Sequence, residues 1–414
     1  MAGLAAAGEL SSAGTRVLLL EARNRLGGRI HTIQDPHTGI AIELGAEFVH
    51  GRAPEIFGVV SENSLRAIEM EGDEWCLSGG TLRPCDFFGE VEALLSRMDA
   101  GTPDQSFASY LRSQWASEEA KRWATGYIEG FHAANADEVS IHSIVKGDRA
   151  DEEIDGERQF RIAGGYGVLV EALYNRVDQE RTDVRLSTEV RAVHWRDGDV
   201  IAYVSLGEAI RARCLLITVP LAVLQASAVT FLPPLTSKQD PLSMLGMGGV
   251  MRVTLVLRER LWESASSELR EMSFLFSQHE TFPTLWTLWP NPAPVITAWA
   301  PPRSAQRLAG TPAESIRREA VQALAGMLRL DVNGVDEAVV ACYTYDWVSD
   351  PFSRGAYSWV KVGGGDAEKR LAEPVANTLF FAGEATNYEG HNGTVHGAIA
   401  TGWRAAKEIL RVLR

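Results

Sequence analysis

The residues whose types and spacing could do chemistry sit near the two ends of the chain. Gly3 opens a helix of small residues, "GLAAAGELSSA", that leads through Gly14 into the apolar strand Val17 to Leu20, and Glu21 closes that strand. In a nucleotide-binding β-α-β unit, a glycine at the helix start permits close packing on the sheet and the helix N-terminus receives a pyrophosphate. An acid about 20 residues further on bonds a ribose hydroxyl. An ordinary helix–strand pair ending in an acid by chance has the same appearance. Leu26-Gly27-Gly28-Arg29 then adds a cation and two backbone units without side chains beside that site, which few folds need. Near the other end, Glu384 follows Phe381-Ala382-Gly383. Open parallel sheets bind ligands at such strand ends, and a carboxylate there can accept a bond from a ribityl or ribose hydroxyl.

Positioning these residues requires a sheet with helical cover, and the chain has the length for it. With 414 residues and 45% hydrophobic composition it can bury large cores and form two or three domains. The apolar strings "DVRLSTEV", "AVHW", "DVIAYVSL" and "CLLITVP" read as short strands after a helix that starts near Gly164. "VMRVTLVL", "MSFLF", "TLWTLW" and "VITAWA" read as a second set of strands, followed by a helix from Ala313 to Leu328. Residues 52 to about 160 have apolar residues at spacings of three and four, the mark of a helical insertion, which would cover a substrate. "NTLFFAG" returns to the nucleotide sheet, and a final helix runs from about Thr394 to Val412.

The bulk properties exclude several classes. No apolar stretch reaches the ~18 residues that span a membrane, and the amino-terminal stretch lacks the pattern of a secretory signal, so a cytoplasmic location is expected. A net charge of −14 disfavours nucleic acid and anionic membranes and mildly favours cationic ligands. Cys76, Cys85, Cys214 and Cys342 show neither CxxC nor metal-ligand spacing, so reduced, mostly buried thiols are expected, and no metal site.

"EARNRLGGRIHT", "IELGAEFVHG" and "LFFAGEATNYEGHNGTVHGAIATGWRAAKEIL" together resemble the conserved segments of the flavin-containing amine oxidases, the last of them at length. "FRIAGGYGVLVEAL" and "SDPFSRGAYSWVKVGG" are shorter likenesses in the order that family requires. The resemblance implies an α/β fold, a Rossmann-like FAD-binding domain interleaved with an α+β substrate-binding domain. FAD-binding parts would be 1–51, 161–220 and 347–414, with a helical substrate insertion at 52–160 and a substrate-binding sheet and helix at 221–346. Gly3, Glu21, Arg23, Gly28 and Arg29 would then hold the adenosine and pyrophosphate, with Val190 beside the adenine. Gly45, Ala46 and Glu47 would run beneath the flavin ring, and Gly383 and Glu384 would bind the cofactor at the carboxy-terminal strand. The helix beginning at Thr394, Val395 and Ala398 would point its positive end at the flavin pyrimidine, favouring the reduced state.

For the reaction, the resemblance places Tyr357 beside the substrate amine and Thr394 where monoamine oxidases carry a second aromatic, leaving the pocket open on that side. His50 stands where several polyamine oxidases have a histidine facing the amine; a solvated loop histidine is the alternative. Ala356 replaces the cysteine that bonds the flavin in covalent members, which implies noncovalent FAD. The implied activity is hydride transfer from the carbon beside nitrogen to the flavin, imine hydrolysis to an aldehyde, and reduction of O2 to H2O2. The partners would be a small-molecule amine and O2, with a homodimer allowed.

Two departures qualify that transfer. Arg252 stands where most members have a lysine that holds a water near the flavin, and a planar, permanently charged guanidinium is no equivalent. Low oxygen reactivity, an L-amino-acid oxidase, or a carbon–carbon desaturase of the same superfamily thereby become alternatives. The first strand and first two glycines of the dinucleotide motif do not precede Met1, so weak FAD binding is expected. Three explanations compete: a start placed too late, which a methionine in the variable position of GAGxAG favours; a genuine low-affinity form; or a vestigial, cofactor-free fold.

Overall fold

In the computed structural model, which describes residues 1–205 and 207–414, the first helix spans Ala2–Ser12 and buries Ala2, Ala5 and Ala6. Small residues on that face bring the last helix, Val395–Leu413, to backbone distance: a Cβ on Gly402 would lie 2.4 Å from the Ala2 carbonyl oxygen. Thr394 caps the last helix, its hydroxyl accepting the Gly397 N–H at 2.9 Å. Beneath the first helix lie two pairs of parallel strands, Val17–Leu20 with Thr182–Arg185 and Leu215–Ile217 with Leu379–Phe381. Ala6 and Leu10 pack against Phe380 of one pair and Val17 of the other. Parallel neighbours require crossover connections, which is why these strands come from three distant parts of the chain. Each of the four strands has one edge without a ladder partner among the described residues. The "DVIAYVSL" string forms Asp199–Val204; its Leu206 lies outside the described residues.

The run "VMRVTLVL" forms Met251–Leu257, every residue of which is buried. It lies between Val339–Thr344 and Val295–Ala300 in a seven-stranded sheet that continues through Thr284–Thr287, Met272–Phe276, Asp73–Ser78 and Thr81–Pro84. A strand covered on both faces loses the alternation of polar and apolar residues. Val253 and Leu255 enter the main core with Trp262 and Leu324, the latter on the helix Ala313–Leu328. Successive strand side chains point to opposite faces, so Arg252 leaves that core and borders a cavity on the other side.

Residues 52–160 hold the helices Pro54–Glu62, Phe87–Leu95, Phe107–Ser113, Glu118–Gly130 and Ile141–Glu152. Asp86, Ser106, Ser117 and Ser140 each accept a backbone N–H from the helix they precede, as N-caps should. The stretch is not wholly helical. Ala67–Glu69 pairs with Gln159–Ile162, and the hairpin Asp73–Ser78 and Thr81–Pro84 forms the edge of the seven-stranded sheet. Gly79 and Gly80 turn that hairpin at φ of 56° and 75°, values that carry no Cβ penalty for glycine. The hairpin corrects the expectation of four reduced thiols: Cys76 and Cys85 are joined in a disulfide, with Cα atoms 5.7 Å apart. Their separation of nine residues is hairpin spacing, which a search for CxxC or metal ligands passes over. Cys214 and Cys342 are free and partly buried.

Candidate active site

A single cavity of about 550 Å³ runs from the parallel strands to the seven-stranded sheet and the helical insertion. Every residue singled out in the sequence for cofactor or substrate, from Gly3 to Ala398, borders it. At one end the first turn of Ala2–Ser12 opens on the cavity with no side chain capping its N–H groups, so its positive end is free for an anion. Beside it, Glu21 accepts the Arg23 N–H at 2.8 Å. The Arg23 guanidinium turns to Asp350 at 2.6 Å and Ser353 at 2.9 Å, so it braces a neighbouring loop. Gly28 sits at φ +61° with open space where a side chain would project. A Cβ on Gly45 would come within 1.9 Å of the Arg29 carbonyl oxygen, so the two loops clasp backbone to backbone.

Arg29 donates to the Ala356 carbonyl at 2.5 Å and to Glu384 at 2.9 Å. The other oxygen of Glu384 accepts the Ser358 hydroxyl at 2.6 Å, the Ser358 N–H at 3.2 Å and the Gly393 N–H at 2.9 Å. Glu384 therefore ties together the Arg29 turn, the strand bearing Tyr357, and the loop that leads to Thr394. This end fits a dinucleotide: an uncapped helix N-terminus for the pyrophosphate, Glu21 for sugar hydroxyls, and side-chain-free backbone at Gly3 and Gly28 for close approach.

At the other end the Tyr357 hydroxyl donates to the Phe131 carbonyl at 2.8 Å, and burial raises its pKa. The His50 ring meets the Phe131 ring edge-on at 5.0 Å. Burial lowers the His50 pKa against an opposing pull from Asp151, so the imidazole is neutral near pH 7. Thr394 is occupied by its cap and by a bond to the His391 carbonyl at 2.7 Å. Glu47 accepts from Arg161 at 2.7 Å on one oxygen, and from Arg252 at 2.6 Å and the Trp286 indole at 3.1 Å on the other. Burial works against its charge, but Arg252 and Arg161 outweigh burial and hold its pKa below the ordinary value. Arg252 also donates to the Gly45 carbonyl at 3.0 Å and lies over the Trp286 ring.

Sequence reasoning missed Arg161 and Trp286, and the side of the cavity formed by Tyr127, His132, Asp151 and His396. His396 lies in the first turn of the last helix, two residues after Thr394. Asp151 lay in a segment whose apolar spacing marks only the face turned to the core.

The chain belongs to the flavin-containing amine oxidoreductases, whose family model matches residues 1–87 and 90–410. It is accordingly a FAD-dependent oxidoreductase of small-molecule amines. Among its relatives, polyamine oxidase 4 of Oryza sativa subsp. japonica is 26% identical, over 99% of this chain and 86% of its own length. Lysine-specific histone demethylase 1 homolog 2 of Arabidopsis thaliana is 30% identical over 100% of this chain, which spans 57% of that protein. Among solved structures, wild-type putrescine oxidase bound to putrescine superposes with a TM-score of 0.83 at 22% identity, over 99% of this chain and 97% of the other. Cyclohexylamine oxidase from Brevibacterium oxydans superposes at 0.82 with 18% identity, over 100% and 97%; at such identities the likeness concerns the fold.

Proposed function

We propose that the chain oxidises an extended aliphatic amine, a diamine or polyamine, in preference to an arylalkyl amine or an α-amino acid, with FAD held noncovalently. The pairing of the cavity's cations carries this reading. Among the described residues these are Arg23, Arg29 and Arg252, and each is bound to a carboxylate: Asp350, Glu384 and Glu47. An amino acid's carboxylate would enter without a cation to receive it, and leaving a buried charge unpaired is costly. Arg252 in particular, the residue that makes an L-amino-acid oxidase worth weighing, is committed to Glu47 and to Gly45.

When bound, FAD supplies the two-electron acceptor for the hydride on the carbon beside nitrogen. The chain's own residues orient the amine and exclude water. Tyr357, fixed by Phe131, flanks it, and the neutral His50 imidazole accepts a hydrogen bond from its ammonium. Ala356 has no nucleophile to bond the flavin, and it meets Arg29 only through its carbonyl. The assay supplies FAD in excess. With FAD supplied, peroxide release is fastest with a diamine, slower with an arylalkyl amine and absent with an L-amino acid. Release with the amino acid alone would overturn the reading.

A further inference from the structure

The Cys76–Cys85 bond closes the hairpin Asp73–Ser78 and Thr81–Pro84 where the chain leaves the sheet for the helix Phe87–Leu95. Successive strand residues face opposite ways: Trp75 enters the main core, and Cys76 turns to the helical insertion, into one cluster with Phe87, Phe274 and Phe276. Phe276 is the ladder partner of Cys76, and the Phe87 ring stacks on the Phe276 ring with centroids 3.8 Å apart. Both rings border the cavity, as does Phe88, which meets Phe276 edge-on at 5.6 Å. We infer that the Cys76–Cys85 bond is a site of reversible thiol–disulfide exchange whose state sets the far wall of the cavity, the bonded form holding Phe87 and Phe88 in place for the tail of a long aliphatic amine. The exchange site stands on the hairpin geometry alone, and its kinetic consequence rests on the amine-oxidising reading.

The bond is placed both to be reached and to matter. Cys76 is only 5% exposed, whereas Cys85 is half-buried between the exposed Pro84 and Asp86. A thiolate of a small dithiol therefore attacks the Cys85 sulfur, and the Cys76 sulfur leaves and takes a proton. The second thiolate then closes the reagent's own disulfide and releases the Cys85 thiol. Two electrons and two protons pass from the dithiol to the protein, and an excess of a small disulfide reverses the exchange. Beyond Pro84 no ladder pair holds the strand among the described residues. The polar ties of the helix start to the sheet otherwise run through Glu74, whose carbonyl accepts the Cys85 N–H and whose carboxylate accepts the Phe87 N–H, both at 3.0 Å. The wall also lies away from the amine position. Phe131, whose carbonyl receives the Tyr357 hydroxyl, stacks on Tyr127 at 4.9 Å, and Tyr127 meets Phe88 edge-on at 6.3 Å. A short amine seated at Tyr357 stops before Phe88, and a long one reaches it.

The test follows 1,8-diaminooctane and 1,4-diaminobutane with the FAD-loaded chain in three states: as folded, after dithiothreitol and its removal, and after reoxidation with oxidised glutathione. Reduction is expected to raise KM for the longer diamine at least about fourfold, the contact of one methylene, with kcat and the shorter diamine's KM unchanged, and reoxidation to restore it. Amide hydrogen exchange over residues 86–95 speeds up on reduction, while that of Ala313–Leu328 does not. In Cys76→Ala/Cys85→Ala the reductant changes neither readout, which separates this bond from Cys214 and Cys342. A bond that the dithiol leaves closed, unchanged exchange over 86–95 once alkylation shows the thiols free, or a KM that moves equally for both diamines overturns the inference. If neither diamine is oxidised in any state, the amine-oxidising reading fails, and the hydrogen exchange still decides whether the bond holds the wall.

Discussion

In Glu47→Ala the free energy of unfolding falls by about 3–5 kcal/mol, because one partner of a buried ion pair is removed and its charged neighbour stays behind. The Glu47 and Arg252 side chains are each 5% exposed. Arg161 keeps the Thr287 and Trp289 carbonyls in the variant, whereas Arg252 keeps only Gly45. Urea unfolding at neutral pH measures the loss, and a change within about 0.5 kcal/mol, as at an ordinary surface position, would contradict it. The double variant Glu47→Leu/Arg252→Met recovers much of it, since well-packed apolar residues often replace such pairs without penalty. The pH dependence follows from the lowered pKa. The contribution of Glu47 is complete above its ordinary value of 4.5 and is lost as pH falls through the lower folded value. Glu47→Gln, which keeps an acceptor for the indole, removes that part of the acid-side loss.

Glu384→Ala has the second large effect, on function more than on stability. It strips the partner from the Ser358 and Gly393 N–H groups and from Arg29, and each buried donor left unsatisfied costs about 1–3 kcal/mol. The three segments it releases carry the phosphate-end arginine, Tyr357 and Thr394. Displacements of an ångström in such positioning groups lower turnover by about 100-fold. FAD titration followed by fluorescence, together with turnover of a diamine, measures both consequences. Tight FAD binding with near-normal turnover would show that Glu384 positions nothing.

Local pattern made much of this legible. The helix Ala313–Leu328 and the strand Val17–Leu20 have the bounds expected from their apolar pattern. All the candidate residues border one cavity because glycines and strand ends carry their positional meaning in the sequence. What depends on distant pairing was not legible. The Glu47–Arg252 bond joins residues 205 positions apart, and nothing local in "GAEFVHG" says that its acid answers an arginine on a central strand. The Cys76–Cys85 bond needed the Gly79-Gly80 turn to be read as a hairpin first.

The most direct measurement is anaerobic mixing of the FAD-loaded chain with a polyamine while the visible flavin absorbance is followed. The absorbance is expected to bleach fully within a turnover, to stay unchanged with an L-amino acid, and to return, with peroxide, once O2 is admitted. Flavin that stays oxidised with every amine tried, or that bleaches with the amino acid alone, would contradict amine oxidation at this cavity.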